Sequence, residues 1–127
     1  MHPAPVLLIV EDEFLVRLGI VDVLEEKGFT ALESSGAAEA LGLLRHRPDV
    51  ASTVVDIGLP DRRGDDLAHE LRATWPAMPV IIASGHVATG LQDAFAGDDR
   101  VRFLGKPYDA ADLIALLGKL GITIPSP

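Results

Sequence analysis

Apolar runs rich in β-branched residues recur along this chain, and stretches with helical periodicity fill the intervals between them. That alternation is the pattern of βαβ units, whose strands lie parallel and are buried on both faces. It predicts strands over 6–10, 29–33, 51–55, 78–83 and 101–104 in a doubly wound five-stranded α/β fold. After the first run, Val16, Ile20, Val23 and Leu24 repeat as the buried face of a helix that Gly28 can end at its C′ position. Ala37, Leu41 and Leu44 mark a second helix stopped before Pro48, and Leu67, Leu71 and Trp75 carry a third up to Pro76. Gly85, Gly90, Gly97 and Asp98-Asp99 interrupt the next interval, so a helix there, around 91–95, should be short and weak. Asp109 can cap a last helix with Leu113, Leu116, Leu117 and Leu120 as its stripe and Gly121 as its end; residues 122–127 read as frayed or loosely packed.

A length of 127 residues suits one domain, with a core over about 6–120 and a tail over 121–127, and leaves no room for a second catalytic module. Residues 1–5 lack the basic and apolar regions of a signal peptide, and no apolar run approaches the roughly 20 residues of a membrane span. The expectation is a soluble protein that does not act at a membrane. With no cysteine there is no disulfide, no thiolate nucleophile and no cysteine metal site, which fits a cytoplasmic setting. A net charge of -8 works against nucleic-acid binding, which needs clustered Lys and Arg. Arg45-His46-Arg47 and Arg62-Arg63 read as solvated loops or helix ends. His2, His46 and His69 have no metal-ligand spacing and read as surface residues.

The chemistry lies just past the strand-like runs. Glu11-Asp12 follows the first, Asp56 the third, Ser84 the fourth and Lys106-Pro107 the fifth. In an open α/β sheet ligands bind outside the carboxyl ends of the strands, so these residues can meet although nearly the whole chain separates them. Close carboxylates repel unless a cation neutralises them, and with a hydroxyl and an ammonium they suggest phosphoryl chemistry with a divalent metal. A carboxylate in that position can attack phosphorus in line and form an acyl phosphate. Taken singly, each has a plainer role: Asp56 as a loop or cap residue, Ser84 as a turn residue, Lys106 as surface solvation. Glu11 and Asp12 could simply open a helix, as Glu13 is expected to do.

Four motifs in register, Val10-Glu11-Asp12-Glu13, Val55-Asp56-Ile57-Gly58-Leu59-Pro60-Asp61 with Gly64, Ala83-Ser84-Gly85 and Phe103-Leu104-Gly105-Lys106-Pro107, make the chain resemble response-regulator receiver domains over about 6–120. The resemblance implies a flavodoxin-like (βα)5 fold with strand order 2-1-3-4-5. It implies Asp56 as phosphoacceptor and a Mg2+ site, with Mn2+ as a substitute, in which Asp12 binds directly, Glu11 through water, and Asp56 and the Gly58 backbone carbonyl complete the set. Many receivers have Asp where this chain has Glu11, a change expected to alter affinity modestly. Ser84 and Lys106 would bind the phosphoryl group, and the Lys106-Pro107 bond would be cis. Phe103 matches the family's aromatic switch, a fixed core ring being the plainer alternative. Gly58 and His86 fall at the positions that tune the lifetime of the phosphate.

The segment 79–86 also partly resembles the FAT GUY receivers, although His86 stands where tyrosine or glycine is usual and Ile82 replaces phenylalanine. In that subgroup switching would run through order and disorder of 85–100. The implied function is a two-component response regulator. It would accept phosphate from a histidine kinase or histidine phosphotransfer protein and act on a downstream protein or as a phosphate sink, as a monomer or weak homodimer, without turnover of free substrate. The kinase-side partner is expected to dock near the first helix and the loops around Asp56 and Pro107. The natural-looking Met1 and short tail favour a stand-alone protein over the receiver of a hybrid kinase. A degenerate, unphosphorylated interaction module is a further alternative. A nucleotide or flavin carrier lacks its Gly-rich loop here, and an aspartate-based phosphatase lacks its second acidic residue, since Gly58 holds that position.

Overall fold

The structure, a computed structural model, describes residues 4–85 and 89–124. Strands and helices alternate without exception: β1 (Val6–Val10), α1 (Phe14–Glu26), β2 (Thr30–Ser34), α2 (Ala37–His46), β3 (Val50–Asp56), α3 (Gly64–Thr74), β4 (Val80–Ser84), α4 (Thr89–Ala94), β5 (Val101–Gly105) and α5 (Ala110–Lys119). The strands pair in the order β2-β1-β3-β4-β5, all parallel, as expected. Alternate residues of each strand point to opposite sheet faces, which divides the interior into two cores. Leu8, Val10, Val55, Val80 and Ile82 meet Leu41, Leu44, Leu67 and Leu71 of α2 and α3 on one face. Leu7, Ile9, Val54 and Ile81 meet Ile20, Val21, Leu24, Leu113 and Leu117 of α1 and α5 on the other. Among the described residues no helix is long and apolar enough to cross a membrane.

The glycines expected to end α1 and α5 do so through the same device. Gly28 and Gly121 have positive φ (107° and 80°), and the N–H groups of Phe29 and Ile122 reach back to the carbonyls of Leu24 and Leu117. These are Schellman closures, which satisfy carbonyls that the helix end leaves orphaned. Asp109 caps α5 in a reciprocal capping box with Asp112.

Three expectations need correction. Val16 and Val23 of α1 are each 37% exposed; the buried stripe is Ile20, Val21 and Leu24, with Arg17 in the position that would extend it. The helix is turned so that Phe14, Leu15, Val16 and Val23 face away from the sheet. The second strand starts at Thr30, one residue late, because the Phe29 N–H is spent on closing α1. The third helix stops at Thr74, with Trp75 as its cap and the fourth strand starting only at Val80. The tail is loosely packed, as expected: Ile122 is partly buried against the second core and Ile124 lies against Gly28, while residues 125–127 are outside the described set. The short helix expected around 91–95 is present as the six residues of α4.

Away from the carboxyl ends of the strands, Arg72 of α3 pairs in a fork with Asp98 and also donates to the carbonyls of Pro76 and Met78. The guanidinium holds the Asp98 carboxyl below the usual carboxylate range. Phe95, just past α4, is buried, stacked on His69 of α3 (ring centroids 4.2 Å apart) and edge-on to Phe103 of β5 (6.2 Å). His69 is exposed, as its sequence suggests, and its ring covers Phe95.

A Cβ on Gly64 would stand 2.2 Å from the Asp56 carbonyl oxygen, a clash with backbone that no side-chain motion relieves. Gly64→Ala should lower the unfolding free energy in urea by roughly 2 kcal/mol or more. Tyr108, the sole tyrosine, packs against the second core, where burial and then the Glu11 charge push its hydroxyl up to about 12. The neutral phenol is thus favoured in the folded state: its contribution is complete below the unfolded value near 10 and lost as pH rises toward 12. The 295 nm absorbance of the native protein should titrate about two pH units above that of the unfolded chain, and Tyr108→Phe should blunt the alkaline loss of stability.

Candidate functional site

The strand register brings the chemical residues to one edge. Val10 pairs with Val55, Asp56 with Ala83 and Ser84 with Gly105, so the carboxyl ends of β1, β3, β4 and β5 finish level. The ladders run slightly past the strands: Glu11 N–H donates to the Ser34 carbonyl (2.9 Å), Ile57 N–H to Ala83 (3.1 Å) and Lys106 N–H to Ser84 (2.8 Å). Each functional side chain therefore departs from backbone that is itself hydrogen-bonded.

Glu11, Asp12 and Asp56 offer carboxylate oxygens that all lie within 4.8 Å of one another. Glu11 and Asp56 are buried and Asp12 is exposed. The Lys106 ammonium bridges the two buried groups, donating to Glu11 Oε1 at 2.9 Å and Asp56 Oδ1 at 3.2 Å. Partial burial disfavours its charge, but the hydrogen bond to Glu11 and the charges of Asp56 and Glu11 outweigh this and raise its pKa above the ordinary lysine value. The other oxygen of Glu11 accepts from the Glu13 N–H, which anchors the turn before α1. A set of three carboxylates with no nitrogen or sulfur donor suits a hard cation such as Mg2+ or Mn2+.

Ser84 is buried at the end of β4, next to the strand that supplies Asp56. The Lys106–Pro107 bond is cis. Gly58 lies close to Asp56, since a Cβ there would be 3.9 Å from Asp56 Oδ2. Phe103 is half-buried, sits against the first core and touches Phe95, so it belongs to a ring cluster that reaches α4. His2 and His86 lie outside the described residues. A cleft of about 440 Å³ opens beside the site between Ile57, Gly58, Ser84 and Leu91.

Two supporting residues escaped sequence reasoning. Arg17 donates to the backbone carbonyl of Glu11 and to the Glu33 carboxylate of β2, tying the acidic turn to the sheet edge. Its signal was its place three and four residues before Ile20 and Val21, where the true buried stripe contains a cation. Asp61 accepts hydrogen bonds from the N–H groups of Ala37 and Ala38 at the start of α2. Nothing local marks that contact, because it joins positions 23 and 24 residues apart.

Known proteins resemble this chain in sequence and fold. Residues 7–118 match the family model described as "Response regulator receiver domain". Among curated relatives, the sensor kinase CckA of Brucella abortus is 36% identical over 84% of this chain and 11% of its own length. The photosynthetic apparatus regulatory protein RegA of Rhodovulum sulfidophilum is 33% identical over 97% of this chain and 67% of its own. The chain spans about half or less of the length of several other relatives, including the transcriptional regulatory protein PdtaR of Mycobacterium tuberculosis, at 52%. A CheY-like receiver domain from Methanospirillum hungatei superposes with a TM-score of 0.83, covering 92% of this chain and 93% of that one at 24% identity, which shows the fold. The receiver domain of the hybrid histidine kinase CckA superposes with a TM-score of 0.75, at 27% identity over 93% of this chain and 99% of that one. The chain belongs to the response-regulator receiver family of two-component signalling.

Proposed function

We propose that residues 6–120 form one receiver domain that accepts a phosphoryl group on Asp56 in the cytoplasm and passes the signal on by protein contact. The observation that carries this reading is the convergence of Asp56, Glu11 and Asp12 under the Lys106 ammonium at one sheet edge. An Asp56 oxygen attacks phosphorus in line while the bond to a phosphohistidine ring nitrogen breaks, and the electron pair and a proton go to the imidazole. Glu11, Asp12, Asp56 and the Gly58 carbonyl would hold Mg2+, which supplies charge neutralisation at the phosphoryl oxygens. Lys106 follows the phosphoryl group: once Asp56 carries the acyl phosphate, the ammonium keeps Glu11 and gains an anionic oxygen in place of the Asp56 charge. Ser84 donates its hydroxyl to another oxygen. This is self-modification, not turnover of free substrate.

The donor's docking face is proposed on α1. Phe14 and Leu15 are 57% and 79% exposed, and Leu15, Val16, Val23, Pro107 and Tyr108 line a groove of about 600 Å³ that runs up to Lys106. An apolar helix of a kinase or histidine phosphotransfer protein fits such a face in the helix-in-groove manner. Apolar residues turned to solvent beside a reactive carboxylate are better explained by a partner than by the fold, which leaves them unused.

Incubation with acetyl phosphate and Mg2+ should add one phosphoryl group by intact mass, and Asp56→Asn or removal of Mg2+ should abolish the adduct. Persistence of the adduct in Asp56→Asn would sink the assignment. Leu15→Asp should leave that reaction unchanged but slow transfer from a histidine phosphotransfer protein by on the order of tenfold, read as adduct formed per unit time.

A further inference from the structure

The loop from β3 to α3 carries Gly58 and is pinned at its ends by backbone bonds. Ile57 N–H donates to Ala83, and Gly64 N–H donates to Ile57 at 2.9 Å. Between these points the Asp61 side chain leaves the loop for the start of α2. The Asp61 carboxylate takes the N–H of Ala37 on Oδ1 and that of Ala38 on Oδ2, both at 2.9 Å.

α2 depends on that gift. Its N-cap is Gly36, which has no side chain to accept a hydrogen bond, so two first-turn donors are satisfied from the loop instead. Gly36 leaves the room: a Cβ there would stand 3.0 Å from Asp61 Oδ1. The two N–H groups hold the Asp61 carboxyl below the usual carboxylate range. Other contacts also hold the loop. Leu59 is buried in the first core, and Arg62 reaches Glu70 and the Asp66 carbonyl of α3 through bonds partly open to solvent.

We propose that Asp61 is a positioning residue for the cation site: by bridging the loop to the start of α2, it restricts where the Gly58 carbonyl and the Asp56 backbone can lie. The proposal rests on the reading of Glu11, Asp12, Asp56 and Gly58 as that site. The coupling is reciprocal, so a cation that orders the loop also tightens the bonds that Ala37 and Ala38 make to Asp61.

Calorimetric titration of the full chain with Mg2+ alone tests this. Asp61→Ala should bind on the order of tenfold more weakly than wild type, the scale on which residues supporting a metal's ligands act. The loss should persist in roughly 1 M salt, where a through-space charge effect is screened within about 3 Å. Loss of the α2 cap also lowers stability, and the double variant Gly36→Ser/Asp61→Ala separates the two roles, because serine can cap α2 from its own N-cap position. It should regain the wild-type Tm and keep the weak Mg2+ affinity. Unchanged affinity in Asp61→Ala, a loss that vanishes in salt, or recovery of affinity together with Tm in the double variant would each overturn the inference. A wild type that binds no Mg2+ would overturn the metal-site reading itself, and this inference with it.

Discussion

Three carboxylates gathered within 4.8 Å of one another repel, and the site depends on bringing positive charge to them. Lys106 is the cation the protein itself brings, and it arrives from the far end of the chain. Its reach to both Glu11 and Asp56 depends on β4 standing between β3 and β5 and on the ladder continuing one residue past Gly105. A slip of one residue in any of these pairings would turn the functional side chain to the opposite sheet face. The two apolar cores therefore do more than hold the sheet together, since by fixing register they fix the charges.

The surrounding residues divide between those that hold the site and those that connect it outward. Arg17 and Glu13 brace the Glu11 turn, and Asp61 braces the loop that follows Asp56. Phe103 leads the other way, through Phe95 to His69. The ring contacts anchor the residue that follows α4, a helix of six residues whose length gives it little stability of its own.

The sequence was most legible where local chemistry and global packing agree. The apolar runs marked all five strands, the glycines at 28 and 121 marked their helix ends, and the four motifs marked the residues that converge. It was less legible where a contact joins distant positions or where an apolar residue serves something other than the core. Val16 and Val23 fit a helical period as well as Val21 does, and only the rotation of α1 against the sheet separates the stripe that is buried from the one that is bare. The late start of β2 reflects a competition for one N–H, which Leu24 wins because the helix end would otherwise leave a carbonyl without a partner. His69 is at the surface as read, but its ring contact escaped notice because Phe95 lies 26 positions away in the interval with the weakest pattern.

The fork between Arg72 and Asp98 gives the region around α4 the mechanics of a span between two abutments. One abutment is Ser84, clamped between neighbouring strands; the other is Asp98, bolted to the end of α3. α4 lies between these two held points, and Phe95, just past it, stands edge-on to Phe103, so a change in the set of α4 would be felt at β5 through those rings.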